Sequence, residues 1–286
     1  MATLWEQLPA VYGLASAISW GAGDFYGGYA SKKASVLMVV AVSQALGCAL
    51  LLTLATISGE KPPTTNDIYW SAAAGFFSGL GITLYYAALS RGLMGIAAPV
   101  TGVLTAAVPA VAGAFLEGAP SPLQATGFLL AFIGIFLVTG PDVNRLDATR
   151  QLAPAAAAGL GFGLFLVTIG QVSTGHYYPL AISRIVTVSM VLAASLAKGG
   201  TSLSNSRLPT LAAGIFDTGG SFFYLLARQQ GRLDVSGVLS SLYPVSTVLL
   251  AKLILGEKLG KQKTVGILCA AAATTLIQIA NIYTNG

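Results

Sequence analysis

Ten apolar stretches, each close to the length of a bilayer-spanning helix, follow one another along this chain with only short polar punctuation between them. About 20 consecutive apolar residues cross a bilayer as an α-helix, which satisfies its own backbone N–H and C=O groups where no water can. The stretches lie near 8–30, 35–57, 67–90, 93–116, 121–140, 152–172, 177–198, 208–228, 232–255 and 262–283. The connections at 58–66, 141–151 and 199–207 hold the Pro, Gly, Asn and charge that loops require. Only 9% of the 286 residues are charged, against roughly 25% in an ordinary soluble domain. The chain is therefore read as an all-α polytopic membrane protein with ten transmembrane helices. No polar tract is left for a nucleotide-binding or extramembrane catalytic domain.

The chain also repeats itself. Residues 73–92 align with 212–231 at a constant offset of 139, with identities at Ala73/Ala212, Ala74/Ala213, Gly75/Gly214, Phe77/Phe216, Gly81/Gly220, Tyr85/Tyr224, Ala88/Ala227 and Gly92/Gly231. After one-residue slips the pairing extends to Glu117/Glu257 and Gly127/Gly266. Two five-helix repeats follow, one over 1–146 and the other over 147–286. Five is odd, so each repeat enters the membrane from the side opposite to its twin. Such inverted repeats belong to transporters, in which two bundles rock about a site between them.

The net charge of +5 comes from Lys and Arg in short loops, so the expected partner is anionic lipid and not nucleic acid. Lys32, Lys33, Arg91, Arg145, Arg150, Lys198, Arg207, Lys258, Lys261 and Lys263 lie on one side, while mainly Lys61, Arg228 and Arg232 lie on the other. By the positive-inside rule both termini would be extracytoplasmic, although an even number of helices requires only that they share a side. The N-terminal residues lack a basic segment and a cleavage site, so the first stretch is expected to remain as a helix. Cys48 and Cys269 sit within apolar segments as small hydrophobes.

Ionisable residues deep in a membrane are expensive and commonly face a wet cavity. Asp24 in helix 1, Arg184 in helix 7 and Asp217 in helix 8 are three such residues. The repeat pairs Asp217 with Ser78, Asp24 with Leu166 at an offset near 142, and Arg184 with Gln44 near 140, so each charge occurs in one half only. A purely architectural charge would be expected in both copies. Asp217, Ser221, Tyr224 and Arg228 share one face of helix 8, and Ser236, Ser240, Tyr243 and Thr247 share one face of helix 9. Either an Arg184–Asp217 ion pair or an open cavity accounts for the first stripe. If the pair forms, Asp24 leaves one net negative charge, which suits a cation, an ammonium group or a proton. Asp24 and Asp217 are the candidates for proton coupling, since a carboxyl away from water holds a proton more readily.

Trp20, Tyr26, Tyr85, Tyr86, Tyr224 and Tyr243 are candidates to stack on a substrate or cage a quaternary ammonium, with Tyr85 and Tyr224 singled out by their matched repeat positions. His176 has no His or Cys at ligand spacing, so no metal and no cofactor are expected. Gly21-Ala22-Gly23-Asp24-Phe25-Tyr26-Gly27 follows no strand and reads as a packing face, as do Gly75/Gly79 and Gly159/Gly163. Pro99, Pro109 and Pro244 interrupt the hydrogen bonding of helices 4 and 9, and Glu117 and Glu257 read as interfacial anchors.

Ser240-Ser241-Leu242-Tyr243-Pro244-Val245, continuing to Leu255-Gly256-Glu257-Lys258-Leu259, has a looser copy from Ala97-Ala98-Pro99-Val100 to Leu116-Glu117-Gly118, where the Gly-Glu order is lost. With ten helices and the repeat, this pattern resembles the drug/metabolite transporter superfamily, in its ten-helix branch with two EamA-type repeats. The resemblance covers 8–283 and implies a cavity between the repeats, alternating access, and secondary transport, often export, of amino acids, metabolites or drugs across the cell (inner) membrane. The reading is a secondary transporter, in the export direction, for a small polar or cationic solute, contacting Trp20, Asp24, Gln44, Tyr85, Arg184, Asp217, Ser221, Tyr224 and Tyr243. The alternative is an uptake carrier or exchanger. A channel is a further rival. An intramembrane enzyme would need a nucleophile–base pair or metal constellation at depth that the sequence does not offer.

Overall fold

The computed structural model describes residues 4–90, 94–139, 145–198, 206–255 and 259–285, and every regular element among them is an α-helix. In chain order these are α1 (Leu4–Ser31), α2 (Val36–Ser58), α3 (Thr65–Ser90), α4 (Met94–Leu116), α5 (Pro122–Thr139), α6 (Arg145–Ile169), α7 (Tyr177–Lys198), α8 (Arg207–Gln230), α9 (Leu233–Ser240), α10 (Tyr243–Leu255) and α11 (Lys261–Asn285). They form ten spans, because α9 and α10 share the one that the sequence predicts as unbroken over 232–255. The interruption falls at Ser241–Leu242, where Pro244 has no N–H to return to the Ser240 carbonyl and the chain closes a tight turn instead, Leu242 N–H to the Leu239 carbonyl at 3.2 Å. α6 begins at Arg145, ahead of the expected 152, as polar residues carry the helix beyond its apolar stretch. Glu257 and Lys258 lie outside the described residues, as does Arg91.

Polarity runs opposite to that of a soluble globule. Leu196, Leu208, Ile57 and Leu253 point outward, Leu208 with 79% of its surface exposed, whereas Arg184 is 2% exposed and Gln44 is 1% exposed in the interior. Five spans, Val36–Ser58, Pro122–Thr139, Tyr177–Leu196, Leu233–Ile254 and Lys261–Asn281, are long and apolar enough to cross a membrane by hydropathy, with means from 1.5 to 2.2. α1, α3 and α8 are not in that set, and each of them carries polar groups into the interior. This is the arrangement of a polytopic helical membrane protein built from two inverted repeats.

The two-fold relation between the halves appears directly in the packing. α1 lies along α8 as α3 lies along α6; α4 packs on α6 as α9 and α10 pack on α1; α2 meets α8 as α7 meets α3. The remaining major pairs, α2 with α7, α4 with α9 and α5 with α11, map onto themselves when the halves are exchanged. Glycines allow the close approaches. A methyl group at Gly75 would collide with the Ser183 carbonyl of α7, and one at Gly27 with the Tyr86 ring of α3.

One end of the bundle is laced across the repeats. Gly59 takes a left-handed turn (φ 64°) that closes α2 and delivers Glu60 to the N-terminus of α7. The Glu60 carboxylate accepts the N–H groups of His176, Tyr177 and Tyr178 at 2.8, 3.0 and 2.7 Å, satisfying helix-end donors that have no partner within the helix. Asp67 accepts the Ser173 N–H at 2.8 Å and the Thr174 hydroxyl at 2.7 Å. Glu117 pairs with Arg228 at 2.8 Å and accepts the Leu233 N–H at 2.8 Å, while Arg232 donates to the Gly118 carbonyl at 2.7 Å and pairs with Asp234. Glu117, expected to be a membrane-interface anchor, instead ties the end of α4 to α8 and α9.

Gly75→Val should lower the unfolding temperature of the detergent-purified protein by the equivalent of about 1–3 kcal/mol, the usual cost of overpacking a tight contact. Gly260→Ala, at a site with nothing within 4 Å, is the control and should leave the temperature unchanged. Equal melting of Gly75→Val and the native protein would contradict the α3–α7 contact.

Candidate functional site

The break between α9 and α10 brings Tyr243 to a cavity between the repeats. Its walls are Trp20 and Asp24 of α1, Ser78 and Ile82 of α3, Thr105 of α4, Phe162, Phe165 and Leu166 of α6, Asp217 and Ser221 of α8, and Tyr243 of α10. Eight of these eleven residues form repeat pairs: Trp20/Phe162 and Asp24/Leu166 at an offset of 142, Ser78/Asp217 and Ile82/Ser221 at 139. The cavity therefore lies where the two-fold relation passes through the molecule. Its outline is symmetric and its chemistry is not, because Asp24 stands where the other half has Leu166, and Asp217 and Ser221 stand where the other half has Ser78 and Ile82.

Behind Asp217 the charges are matched. Arg184 Nη1 lies 2.8 Å from Asp217 Oδ2, and Nη2 donates to Ser221 Oγ at 2.8 Å and to the Asp217 carbonyl at 3.3 Å. Gln44 occupies the angle between them, its Nε2 donating to Asp217 Oδ2 at 2.8 Å while its Oε1 accepts from Arg184 Nη1. An amide suits that place because it alone among neutral side chains offers a strong donor and a strong acceptor on adjacent atoms. Gln44 and Arg184 are themselves repeat partners, so the bond between α2 and α7 joins equivalent positions of the two halves. Of the two readings of Arg184 and Asp217 left open by the sequence, the ion pair forms, and the Asp217 side chain keeps 18% of its surface toward the cavity.

Asp24 differs. Among the described residues it has no hydrogen-bond or ion-pair partner, although its carboxylate shares the cavity with Asp217. Two buried hydroxyls near the helix break, those of Ser236 and Ser240, also find no partner among the described residues. Thr247, the last of that stripe, donates instead to the Gly21 carbonyl at 3.1 Å.

The nine residues singled out from the sequence thus separate into layers. Trp20, Asp24, Asp217, Ser221 and Tyr243 reach the cavity. Gln44 and Arg184 stand behind Asp217 and hold it. Tyr85 and Tyr224 are one layer further out and perform matched tasks: the Tyr85 ring meets Phe162 edge-on at 5.8 Å, and the Tyr224 ring stacks on Trp20 at 5.9 Å. Since Phe162 and Trp20 are repeat partners, each tyrosine braces the aromatic wall residue of the opposite half. Tyr224 also donates to the Leu166 carbonyl at 2.7 Å. Arg228, at the end of the α8 stripe, belongs to the laced end of the bundle and not to the cavity.

Sequence reasoning passed over Phe162, Phe165, Ile82 and Thr105 as wall residues. Applying the repeat offset to Trp20 and Ser221 would have found Phe162 and Ile82. Nothing in the sequence marks Phe165 or Thr105.

The EamA-like transporter family matches this chain twice, over residues 7–140 and 152–279. A solved crystal structure superposes with a TM-score of 0.78 at 16% identity, covering 97% of this chain and 99% of that one, which supports the fold alone. A search among curated proteins returns no match.

Arg184→Leu should lower the unfolding temperature sharply, by the equivalent of about 3–5 kcal/mol, because Asp217 loses its buried counter-charge. The double variant Arg184→Leu/Asp217→Leu should recover most of that loss. If the double variant melts no higher than the single one, the pair is not what balances these charges.

Proposed function

The chain belongs to the EamA-like transporter family, and from that premise we propose that it is a secondary active exporter of a small polar or cationic solute in the cell (inner) membrane, working by alternating access with proton exchange at Asp24. The observation that carries this reading is a carboxylate with no partner among the described residues, set in a cavity between inverted repeats. Asp24 is the coupling group and Asp217 is not, because the latter is committed to Arg184 and Gln44. The groups that face Asp24 are Asp217 from α8, Tyr85 and Tyr86 from α3 and Tyr243 from α10, none of which supplies a positive charge. A proton and a cationic solute then compete for one carboxylate, which ties solute exit to proton entry.

The laced end supplies a gate. Glu60, Asp67 and Glu117 of the first repeat bind backbone and side chains of the second at a single end of the bundle, and these contacts must part for the cavity to open there. The Glu117–Arg228 pair is partly solvated, with 21% of each side chain exposed, so it contributes on the order of 0–1 kcal/mol and parts at low cost, whereas Asp67 is buried and holds its partners more firmly.

The test is transport in sealed vesicles. Asp24→Asn should abolish flux driven by a pH gradient while solute-for-solute exchange persists. Gradient-driven flux fully retained in Asp24→Asn would refute proton coupling at this residue. Net uptake into the cytoplasmic side in native orientation would favour the uptake-carrier reading, and flux that does not saturate would favour a channel.

A further inference from the structure

We infer that the cavity selects an amine that lacks a carboxylate: an ammonium group on an aromatic or apolar body, and not the zwitterionic amino acid with the same side chain. This rests on the transport reading and names the class of solute that the site would take.

Two observations carry it. First, the buried cation next to the cavity, Arg184, is already used. Both terminal nitrogens of Arg184 are engaged, by Gln44 and Asp217 on one and by Ser221 and the Asp217 carbonyl on the other, and the side chain is only 3% exposed. No Lys or Arg is among the wall residues, Arg184 standing behind Asp217. A solute carboxylate entering here would meet two carboxylates and no free positive charge, an unmatched burial that is strongly disfavoured.

Second, the complementary group is present. Asp24 has no partner among the described residues, so an ammonium would supply the ion pair that the protein withholds. Trp20 lies one helical turn before Asp24 on the same face, and its indole is held by the stack on Tyr224. An ammonium at Asp24 is thus placed beside a fixed aromatic face, a favourable pairing of cation and ring. On α6, Phe162, Phe165 and Leu166 form an apolar wall, Phe165 meeting Trp20 edge-on at 6.1 Å, and Leu166 is the repeat partner of Asp24. The charged half of the solute is directed to α1 and the apolar half to α6, which gives the site a single polarity despite its symmetric outline.

The test compares amines with their parent amino acids on the purified protein: phenethylamine with L-phenylalanine, and tryptamine with L-tryptophan. Unfolding temperature is recorded against ligand concentration, since a ligand that binds only the folded form raises it. The expected result is stabilisation by each amine with at least tenfold higher apparent affinity than by its amino acid, lost in Asp24→Asn and kept in Asp24→Glu. The inference is overturned if an amino acid binds as well as its amine, if the amine shift survives undiminished in Asp24→Asn, or if neither amine binds. Should Asp24→Asn fail to fold, the amine and amino-acid comparison on the native protein still decides. Counterflow of the same four compounds in vesicles separates this inference from the reading beneath it: saturable exchange that favours the amino acids removes the amine assignment and leaves the carrier standing, whereas flux without saturation removes the carrier itself.

Discussion

A charge placed at the centre of a bilayer costs about 2.5–3.5 kcal/mol on insertion scales, and the way this protein distributes three of them governs the rest of its interior. Arg184 and Asp217 cancel each other through a direct contact at 2.8 Å, with Gln44 bridging the pair from the opposite repeat. Three helices, α2, α7 and α8, are fixed together by that one knot. Asp24 receives no such compensation. An uncompensated carboxylate is tolerable only beside a cavity that a water, proton or cationic solute can enter, so the cavity and the lone acid require each other. Were Asp217 the unmatched acid, the site would face α8, and the aromatic pair Trp20 and Tyr224 would brace the wrong wall.

Symmetry and its violation do different work here. Shape follows the repeat: the wall pairs Trp20/Phe162 and Ile82/Ser221 occupy matched positions, and Tyr85 and Tyr224 support them through matched ring contacts at 5.8 and 5.9 Å. Two halves of equal shape can exchange roles, which is what alternation between two openings demands. Charge does not follow the repeat. Asp24 stands where the other half has Leu166 and Asp217 where it has Ser78, so within an otherwise balanced frame the charged groups of the cavity lie unequally on the two halves.

Much of this was legible in the sequence because bilayer physics leaves few options. Ten apolar stretches gave ten spans, and the constant offset of 139 gave the repeat whose packing pattern the helices reproduce. Asp24, Asp217, Ser221, Trp20 and Tyr243 all reach the cavity, found from cost of burial and helical spacing. Tyr85 and Tyr224 show the limit of that approach. Matched positions in two repeats mark a shared structural task as readily as a shared ligand, and both hydroxyphenyl rings prop up wall residues. Thr105 and Phe165 were invisible because an isolated threonine or phenylalanine on a membrane helix carries no signal of which way it turns. The break at Ser241–Leu242 was hidden for another reason: Pro244 announces a lost hydrogen bond, yet a kink and a full interruption begin from the same residue.

The laced end connects these features to motion. Its acceptors, Glu60, Asp67 and Glu117, all come from the first repeat, and the groups they hold come from the second, so the end opens only when the repeats move apart as bodies. α8 runs from the cavity to that end, carrying Asp217 and Ser221 at one level and Arg228 near its last turn. On the proposed transport reading, a shift of α8 that follows occupancy at the cavity would pull on the Arg228–Glu117 pair, since a helix transmits displacement along its axis. The Glu117–Arg228 contact is partly solvated while the Arg184–Asp217 contact is more deeply buried, so on the proposed transport reading the former would part before the latter.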